Sequence, residues 1–133
     1  MIDSSSMKQE KTQRTVLIGN AFPLSLIRRR VEIQPCSEAA FKAAVTDADI
    51  HSFWGHSNTL ECVNDFAGID LTPSVARPTI GLSDDHLPIL DDITFTECYI
   101  VSPDYIHGFR PGIGEEVSSE SIRGWQILKI YWK

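Results

Sequence analysis

The order of short apolar runs is the feature that most constrains the fold of this chain. Apolar, β-branched and aromatic residues predict strands at 15–18, 31–33, 94–101 and 125–132. Between them, the Ala-rich segment 38–46 has the composition of a helix, and Ser37 is placed to cap its N-terminus. Strands interspersed with two or three helices predict a single α+β or α/β domain with a mixed central sheet.

Proline and glycine residues set the expected boundaries between these elements. Pro35 is expected to end the second strand, because proline lacks the amide hydrogen that a sheet uses. Residues 102–114 contain two prolines and three glycines and predict a structured loop. Residues 118–123 are expected to form a short helix before the closing strand.

Length and charge exclude several classes of protein. The 133 residues fit one domain, expected over 15–133 after a loosely ordered tail at 1–14. With 12 Lys and Arg against 18 Asp and Glu, the formal charge is −6, which argues against a protein that coats duplex nucleic acid. The sequence has neither the roughly 18-residue apolar run of a membrane-spanning helix nor a secretory signal. We therefore expect no membrane partner and a cytoplasmic location.

The cysteines and histidines predict neither a redox pair nor a metal site. Cys36, Cys62 and Cys98 are odd in number and far apart, which favours free thiols in a reducing cytoplasm. His51 and His56 are close enough in sequence to share a metal ion, but no Asp or Glu lies at a spacing that completes a ligand set. We expect no metal and no other cofactor.

The segment from Gly55 to Thr59 is the most informative for function. Gly55 permits a sharp turn, Ser57 and Thr59 are typical of helix N-termini, and the apolar spacing that follows predicts a helix ending at Gly68. His56 is therefore expected where an extended segment turns into a helix, a place that favours an anion. Its imidazole can transfer a proton near neutral pH, and the structural alternative is a surface or core histidine whose hydrogen bonds are satisfied by a neighbour.

A second candidate position is Asn20, Ala21 and Phe22, directly after the first strand. Open sheets bind ligands at the carboxyl ends of their strands. There Asn20 would hydrogen-bond a ribose or a base, and Phe22 would stack on a base. The alternative is a plain turn with Phe22 in the core.

The arginines supply candidate phosphate contacts. The run 28–30 is better explained as a solvated strand edge than as a phosphate anchor. Arg77 opens a strand-like run over 77–82, and Arg110 lies in the predicted loop. Together with His56 they would form a clamp of two cations and one proton-transfer group around a phosphate.

The order and spacing of these motifs resemble those of the viral type III anti-CRISPR ring nucleases. In that family a strand ends in an Asn-Ala-Phe type of turn, a Gly-His pair then opens a helix, and an arginine precedes a later strand. The matching positions in this chain are Asn20, His56, Thr59 and Arg77. A family loop matches at Arg110 and Gly114, but Ile113 stands where the family has an acidic residue.

The resemblance implies a metal-independent homodimer that binds cyclic tetra-adenylate across its two-fold interface and cleaves it through attack of a ribose 2′-OH. His56 would be the general acid, and Arg77 and Arg110 would neutralise phosphates. The other residues expected to contact the substrate are Asn20, Ala21, Phe22, Gly55, Ser57 and Thr59. The replacement at Ile113 leaves open a non-catalytic binder of cyclic nucleotides, and a small interaction protein is the third interpretation.

Overall fold

The computed structural model describes residues 14–53, 60–71, 80–106 and 119–133. Its elements in chain order are β1 Thr15–Gly19, β2 Val31–Cys36, α1 Glu38–Val45, β3 Asp49–Ser52, α2 Leu60–Ala67, β4 Gly81–Leu82, β5 Pro88–Leu90, β6 Ile93–Thr94, β7 Glu97–Tyr105 and β8 Ile122–Trp132. Short 3-10 turns lie at Leu24–Leu26 and Ser119–Ser121. The predicted α+β class, with a mixed sheet and two α-helices in the described ranges, is confirmed.

The main sheet has five strands in the order β2-β8-β7-β1-β3. Strand β1 runs parallel to both β3 and β7, whereas β8 runs antiparallel to β7 and β2. Because β1, β3 and β7 point in one direction, their carboxyl ends meet at the same edge of the sheet. We call this the carboxyl edge.

Both faces of the main sheet are covered, each by a different kind of structure. Alternate residues of β1 point to opposite faces: Val16 and Ile18 join the helix-side core, and Leu17 joins the other core. The helix-side core also contains Phe41, Val45, Leu60, Val63, Tyr99, Val101 and Ile127. The opposite core contains Leu90, Phe95, Cys98, Ile100, Ile130 and Trp132.

The helix boundaries follow the capping signals of the sequence. The Ser37 hydroxyl oxygen accepts a hydrogen bond from the Ala40 backbone N–H at 3.0 Å, which satisfies one of the free amides at the start of α1. Gly68 follows α2 with a φ of 70°, and its N–H donates to the Asn64 carbonyl oxygen at 2.9 Å. Both predicted helix ends, at Ser37 and at Gly68, are confirmed. No helix in the described parts of the chain has the length and apolar content needed to cross a membrane.

A second, three-stranded sheet of β4, β5 and β6 provides the cover opposite the helices. Strands β5 and β6 are joined by only two residues, Asp91 and Asp92, with φ values of 55° and 63°. Two left-handed residues in a two-residue connection are typical of a type I′ hairpin turn. The sequence did not predict this sheet as a unit, because its strands have only two or three residues each.

Two predicted boundaries at prolines are wrong. Strand β2 continues through Pro35, which lies opposite Leu128, and ends at Cys36. The edge position of β2 explains this, since a residue without an N–H is tolerated where only one neighbouring strand needs hydrogen bonds. Similarly, β7 extends through Pro103 to Tyr105, so the predicted loop over 102–114 begins too early. Pro103 pairs with β8 alone, because β1 pairs β7 only at 98–100.

Two other predicted elements are divided differently in the structure. The run 94–101 is not one strand: Thr94 ends β6, Phe95 is buried between the sheets, and β7 starts at Glu97. In the described part of 118–123, a single 3-10 turn at Ser119–Ser121 leads directly into β8.

Candidate functional site

The carboxyl edge holds the first candidate site. Asn20 and Ala21 follow β1 and are exposed. The Phe53 backbone N–H donates to the Ile18 carbonyl oxygen at 3.1 Å, so the chain leaves β3 alongside the end of β1. Residues 54–59 then connect Phe53 to the first residue of α2, Leu60. Asn20 thus follows β1, and the segment of His56 follows β3 in the chain. These two strands are parallel neighbours in the main sheet.

Gly19 is fixed by the packing of an aromatic ring at this edge. A Cβ atom on Gly19 would lie 2.1 Å from Cζ of Phe53, which is far inside the contact distance. The ring of Phe53 therefore occupies the space that any other residue at position 19 would need. Glycine at the end of β1 allows Phe53, the residue after β3, to approach this closely without a shift of its ring.

Phe22 packs against the core on the side of the sheet opposite the helices. It is half-buried, and its ring makes edge contacts with Phe53 at 6.2 Å and with Trp132 at 5.4 Å between centroids. This is the packing role that the sequence allowed as the alternative to base stacking. Base stacking by Phe22 stays a prediction.

Several predicted site residues lie outside the described ranges. These are Gly55, His56, Ser57, Thr59, Arg77 and Arg110. Their predicted roles stay predictions.

His51 has partners that the sequence did not suggest. Its Nδ1 lies 2.9 Å from Oδ2 of Asp91, and its Nε2 lies 3.1 Å from Oδ2 of Asp49. Asp49 is on the same strand, but Asp91 belongs to the hairpin turn of the small sheet, forty residues along the chain. Burial lowers the pKa of His51, but the hydrogen bonds to Asp91 and Asp49 raise that pKa by more, so it lies above its ordinary value.

These contacts make His51 a tether between the two sheets. The ring also packs edge-on against Phe95, with 5.6 Å between centroids. Over the described ranges, no three side chains of His, Cys, Asp or Glu are arranged to hold a metal ion. With an Asp oxygen at each ring nitrogen, the imidazole of His51 is suited to the protonated, doubly donating form.

A second candidate position is a cavity of about 320 Å³ between α2 and the start of β8. Its lining residues are Glu38, Cys62, Asp65, Phe66, Ile122, Arg123, Gly124 and Trp125. Trp125 lies opposite Pro103, and Ile122 lies opposite Tyr105. The cavity is therefore at the carboxyl end of β7, on the same edge of the main sheet as Asn20.

Cys36, Cys62 and Cys98 all lie in the described ranges, and none of them forms a disulfide. Cys62 and Cys98 are buried, whereas Cys36 is half-exposed at the end of the edge strand β2. Burial raises the pKa of Cys98 and, to a smaller extent, that of Cys36. Neither of these two thiols is activated as a nucleophile.

Part of the predicted arginine run has structural partners. Arg29 donates to the Asp85 carbonyl oxygen at 2.9 Å and to the Lys133 carbonyl oxygen. Arg28 donates from Nε to the Ser25 carbonyl oxygen at 2.9 Å. Arg28 and Arg29 thus bind backbone carbonyls ahead of β2, which begins at Val31, whereas the sequence analysis expects a solvated strand edge.

The fold has a counterpart among solved structures. B116 of Sulfolobus turreted icosahedral virus superimposes with a TM-score of 0.55 at 17% sequence identity, over 88% of this chain and 98% of that chain. No protein-family model matches the sequence, and no curated protein matches it significantly. The chain therefore shares its fold with a Sulfolobus virus protein of almost the same extent.

Proposed function

We propose that this protein is a metal-independent ring nuclease that binds cyclic oligoadenylate, most favourably cyclic tetra-adenylate, and so dampens type III CRISPR signalling. The observation that carries the proposal is the parallel pairing of β1 with β3. It brings the turn of Asn20 and the chain segment leading to His56 to one edge of the sheet, in the order that the ring nuclease motifs have. The shared fold with B116, a virus protein, supports the same proposal.

The chemistry needs little from the protein, because the substrate carries its own nucleophile. A ribose 2′-OH attacks the adjacent phosphorus, the bond to the 5′-oxygen breaks, and the product ends in a 2′,3′-cyclic phosphate. Holding the 2′-oxygen in line with the leaving oxygen supplies several kcal/mol of the barrier reduction. His56 donates the proton that the leaving 5′-oxygen takes up, a role that typically contributes about 10²–10⁴-fold.

Local cations are required because the whole chain has a formal charge of −6. Arg77 and Arg110 supply them at the phosphates, where the guanidinium matches the oxygens in a bidentate manner. Asn20, which is exposed after β1, contacts the ribose or the base.

A ring of two-fold symmetry is matched by a homodimer that contributes one His56 from each subunit. Each subunit then cleaves one of two opposite phosphodiesters, and the products are linear di-adenylates. The protein acts in the cytoplasm, where the cyclic messenger is made and used.

The test is incubation with cyclic tetra-adenylate in EDTA, with the products resolved by chromatography. The parent should form linear di-adenylates without added metal. His56→Ala should cleave at least about 10²-fold more slowly, since it lacks the general acid. His86→Asn is the matched control, because His86 is exposed in the turn between β4 and β5 and has a φ of 63° that asparagine tolerates.

The other outcomes separate the alternatives. Equal cleavage by the parent and by His56→Ala would remove His56 from the mechanism. Tight binding of the ring without products would favour a non-catalytic binder, an outcome for which Ile113 in place of the family's acidic residue is the specific reason. No binding would favour an interaction protein. The mass of the parent by light scattering tests the homodimer.

A further inference from the structure

We infer that the cavity between α2 and the start of β8 is a subsite for one adenine base. This inference rests on the proposed function and extends it, because it names the residues that select the base. The volume of about 320 Å³ is at the small end of ligand sites and suits one flat heterocycle.

The first argument is the aromatic wall of the cavity. Phe66 on α2 and Trp125 on β8 are stacked, with 5.4 Å between centroids and 23° between ring planes. Both are half-buried and both line the cavity together with Ile122. Phe41 also stacks on Phe66, with 6.1 Å between centroids, so Trp125 is the ring of this wall that is left to pack against the flat face of a nucleobase.

The second argument is the charge around the cavity. Glu38 and Asp65 are exposed carboxylates that line it. Among the described residues of the lining, the one guanidinium, that of Arg123, is 64% exposed and pairs through Nε with Oδ2 of Asp104 at 2.9 Å. Outside the lining, Lys42 lies with Nζ 4.8 Å from the centroid of Phe66. The described lining thus carries two carboxylates against one arginine that is paired through Nε, a balance that disfavours a phosphate and leaves carboxylate oxygens to accept from an amino group.

The third argument is that Glu38 is held in position. One of its carboxylate oxygens, Oε2, accepts a hydrogen bond from the Trp125 backbone N–H at 3.2 Å. This bond crosses from α1 to β8 and leaves Oε1 to accept a further one. The exocyclic amine of adenine donates such a bond, whereas the carbonyl oxygen of hypoxanthine at the same ring position does not.

The location agrees with a role next to the proposed chemistry. Cys62 and Phe66 belong to α2, the helix that follows the segment of His56. Ile122 starts β8, the strand that follows the segment of Arg110. The cavity thus lies between the two elements that lead away from the proposed catalytic segments.

The test uses adenosine, inosine and argininamide as probes, with binding followed by the indole N–H signal of Trp125 in two-dimensional NMR. Trp125→Phe identifies that signal among the three tryptophans. Adenosine should shift it in a saturable way, and inosine should bind at least about tenfold more weakly, the equivalent of one lost hydrogen bond. Asp65→Asn should weaken adenosine binding severalfold, whereas Asp92→Asn, an exposed change in the β5–β6 turn, should leave it unchanged.

Three results would overturn the subsite. Adenosine could cause no shift, adenosine and inosine could bind equally, or argininamide alone could cause a response. The last result would indicate a site for a basic side chain. Because Asp65 is exposed, Asp65→Asn should fold, and its KM for cyclic tetra-adenylate tests the inference even where Trp125→Phe does not fold and the indole signal stays unassigned. The proposed function fails separately. Adenosine binding in a protein that leaves cyclic tetra-adenylate intact would keep the subsite and remove the nuclease. If Asp65→Asn cleaves cyclic tetra-adenylate with an unchanged KM, the nuclease would be kept and the subsite removed.

Discussion

The two faces of the main sheet are covered in contrasting ways. On one face, α1 and α2 contribute large apolar side chains, among them Phe41 and Leu60, to a continuous buried core. On the other face, the three-stranded sheet contributes Leu90, and Phe95 packs beside it. There the cover also depends on a polar contact, the tether from His51 to Asp91.

The difference shows which part of the molecule depends most on apolar packing. The helix side is held mainly by apolar burial, which involves no titrating group, although the Glu38 carboxylate also accepts a hydrogen bond from the Trp125 backbone N–H. The other side combines burial with an ion pair and leaves part of the sheet open, since Ile33 and Leu128 are 48% and 43% exposed. We therefore expect the helix side to tolerate changes in solvent conditions and the small sheet to respond to them.

The largest expected effect is on the helix side. Phe41 is fully buried and contacts the rings of Phe66 and Tyr99, so Phe41→Ala should lower the free energy of unfolding by about 3–5 kcal/mol. Urea denaturation followed by circular dichroism measures this loss. Phe95→Ala, the matched change in the opposite core, should cost less, because the short strands around it can collapse into the space. An equal or larger loss for Phe95→Ala would mean that the two covers are equally rigid.

An intermediate effect is expected where β1 meets β3. Gly19→Ala would place a methyl group inside the ring of Phe53, so that ring has to move. Overpacking of this kind typically costs about 1–3 kcal/mol, which the same urea titration measures. Gly81→Ala is the control, because a Cβ on Gly81 meets nothing within 4 Å. Similar losses for the two variants would contradict the close approach of Phe53.

The smallest expected effect is the pH dependence of the tether. The pKa of His51 is raised in the folded protein, so its stabilisation is fully present below the pKa of the unfolded state and is lost as the pH rises through the folded value. Asp49 and Asp91 are 52% and 63% exposed, which limits the gain to about 0.5–1 kcal/mol. Between about pH 5.5 and about pH 8.5, the parent should therefore lose more stability than His51→Gln does.

The control for this prediction is again His86→Asn, which should keep the pH profile of the parent. If the parent and His51→Gln give parallel profiles in urea titrations at both pH values, His51 does not tether the small sheet. Added salt should reduce the difference between the two profiles, because exposed charges are screened.

The sequence predicts the elements whose ends depend on residues adjacent in the chain. The cap at Ser37 and the left-handed Gly68 set the helix ends, and the apolar run at 15–18 gave β1. The errors came from features that depend on neighbours. Whether Pro35 ends a strand depends on how many strands flank it, and the sequence alone does not reveal that β2 lies at the edge.

The candidate site divides in the same manner. That Asn20 follows a strand was readable from the sequence, because the strand and its breaking residues are adjacent. The sequence does not reveal that His51 pairs with Asp91 or that Phe66 stacks on Trp125, because each contact joins residues far apart in the chain. The sequence predicts no metal site at His51 and His56, and it does not reveal the two carboxylate partners that the structure gives His51.

Asp91 serves two purposes that a mutation cannot optimise independently. It is one of the two left-handed residues that reverse the chain between β5 and β6, and its carboxylate also reaches His51. Glycine at this position would ease the backbone conformation but remove the carboxylate. A glycine that eases the turn would therefore remove one polar contact between the two sheets and leave the buried packing of Leu90 and Phe95 to hold them together.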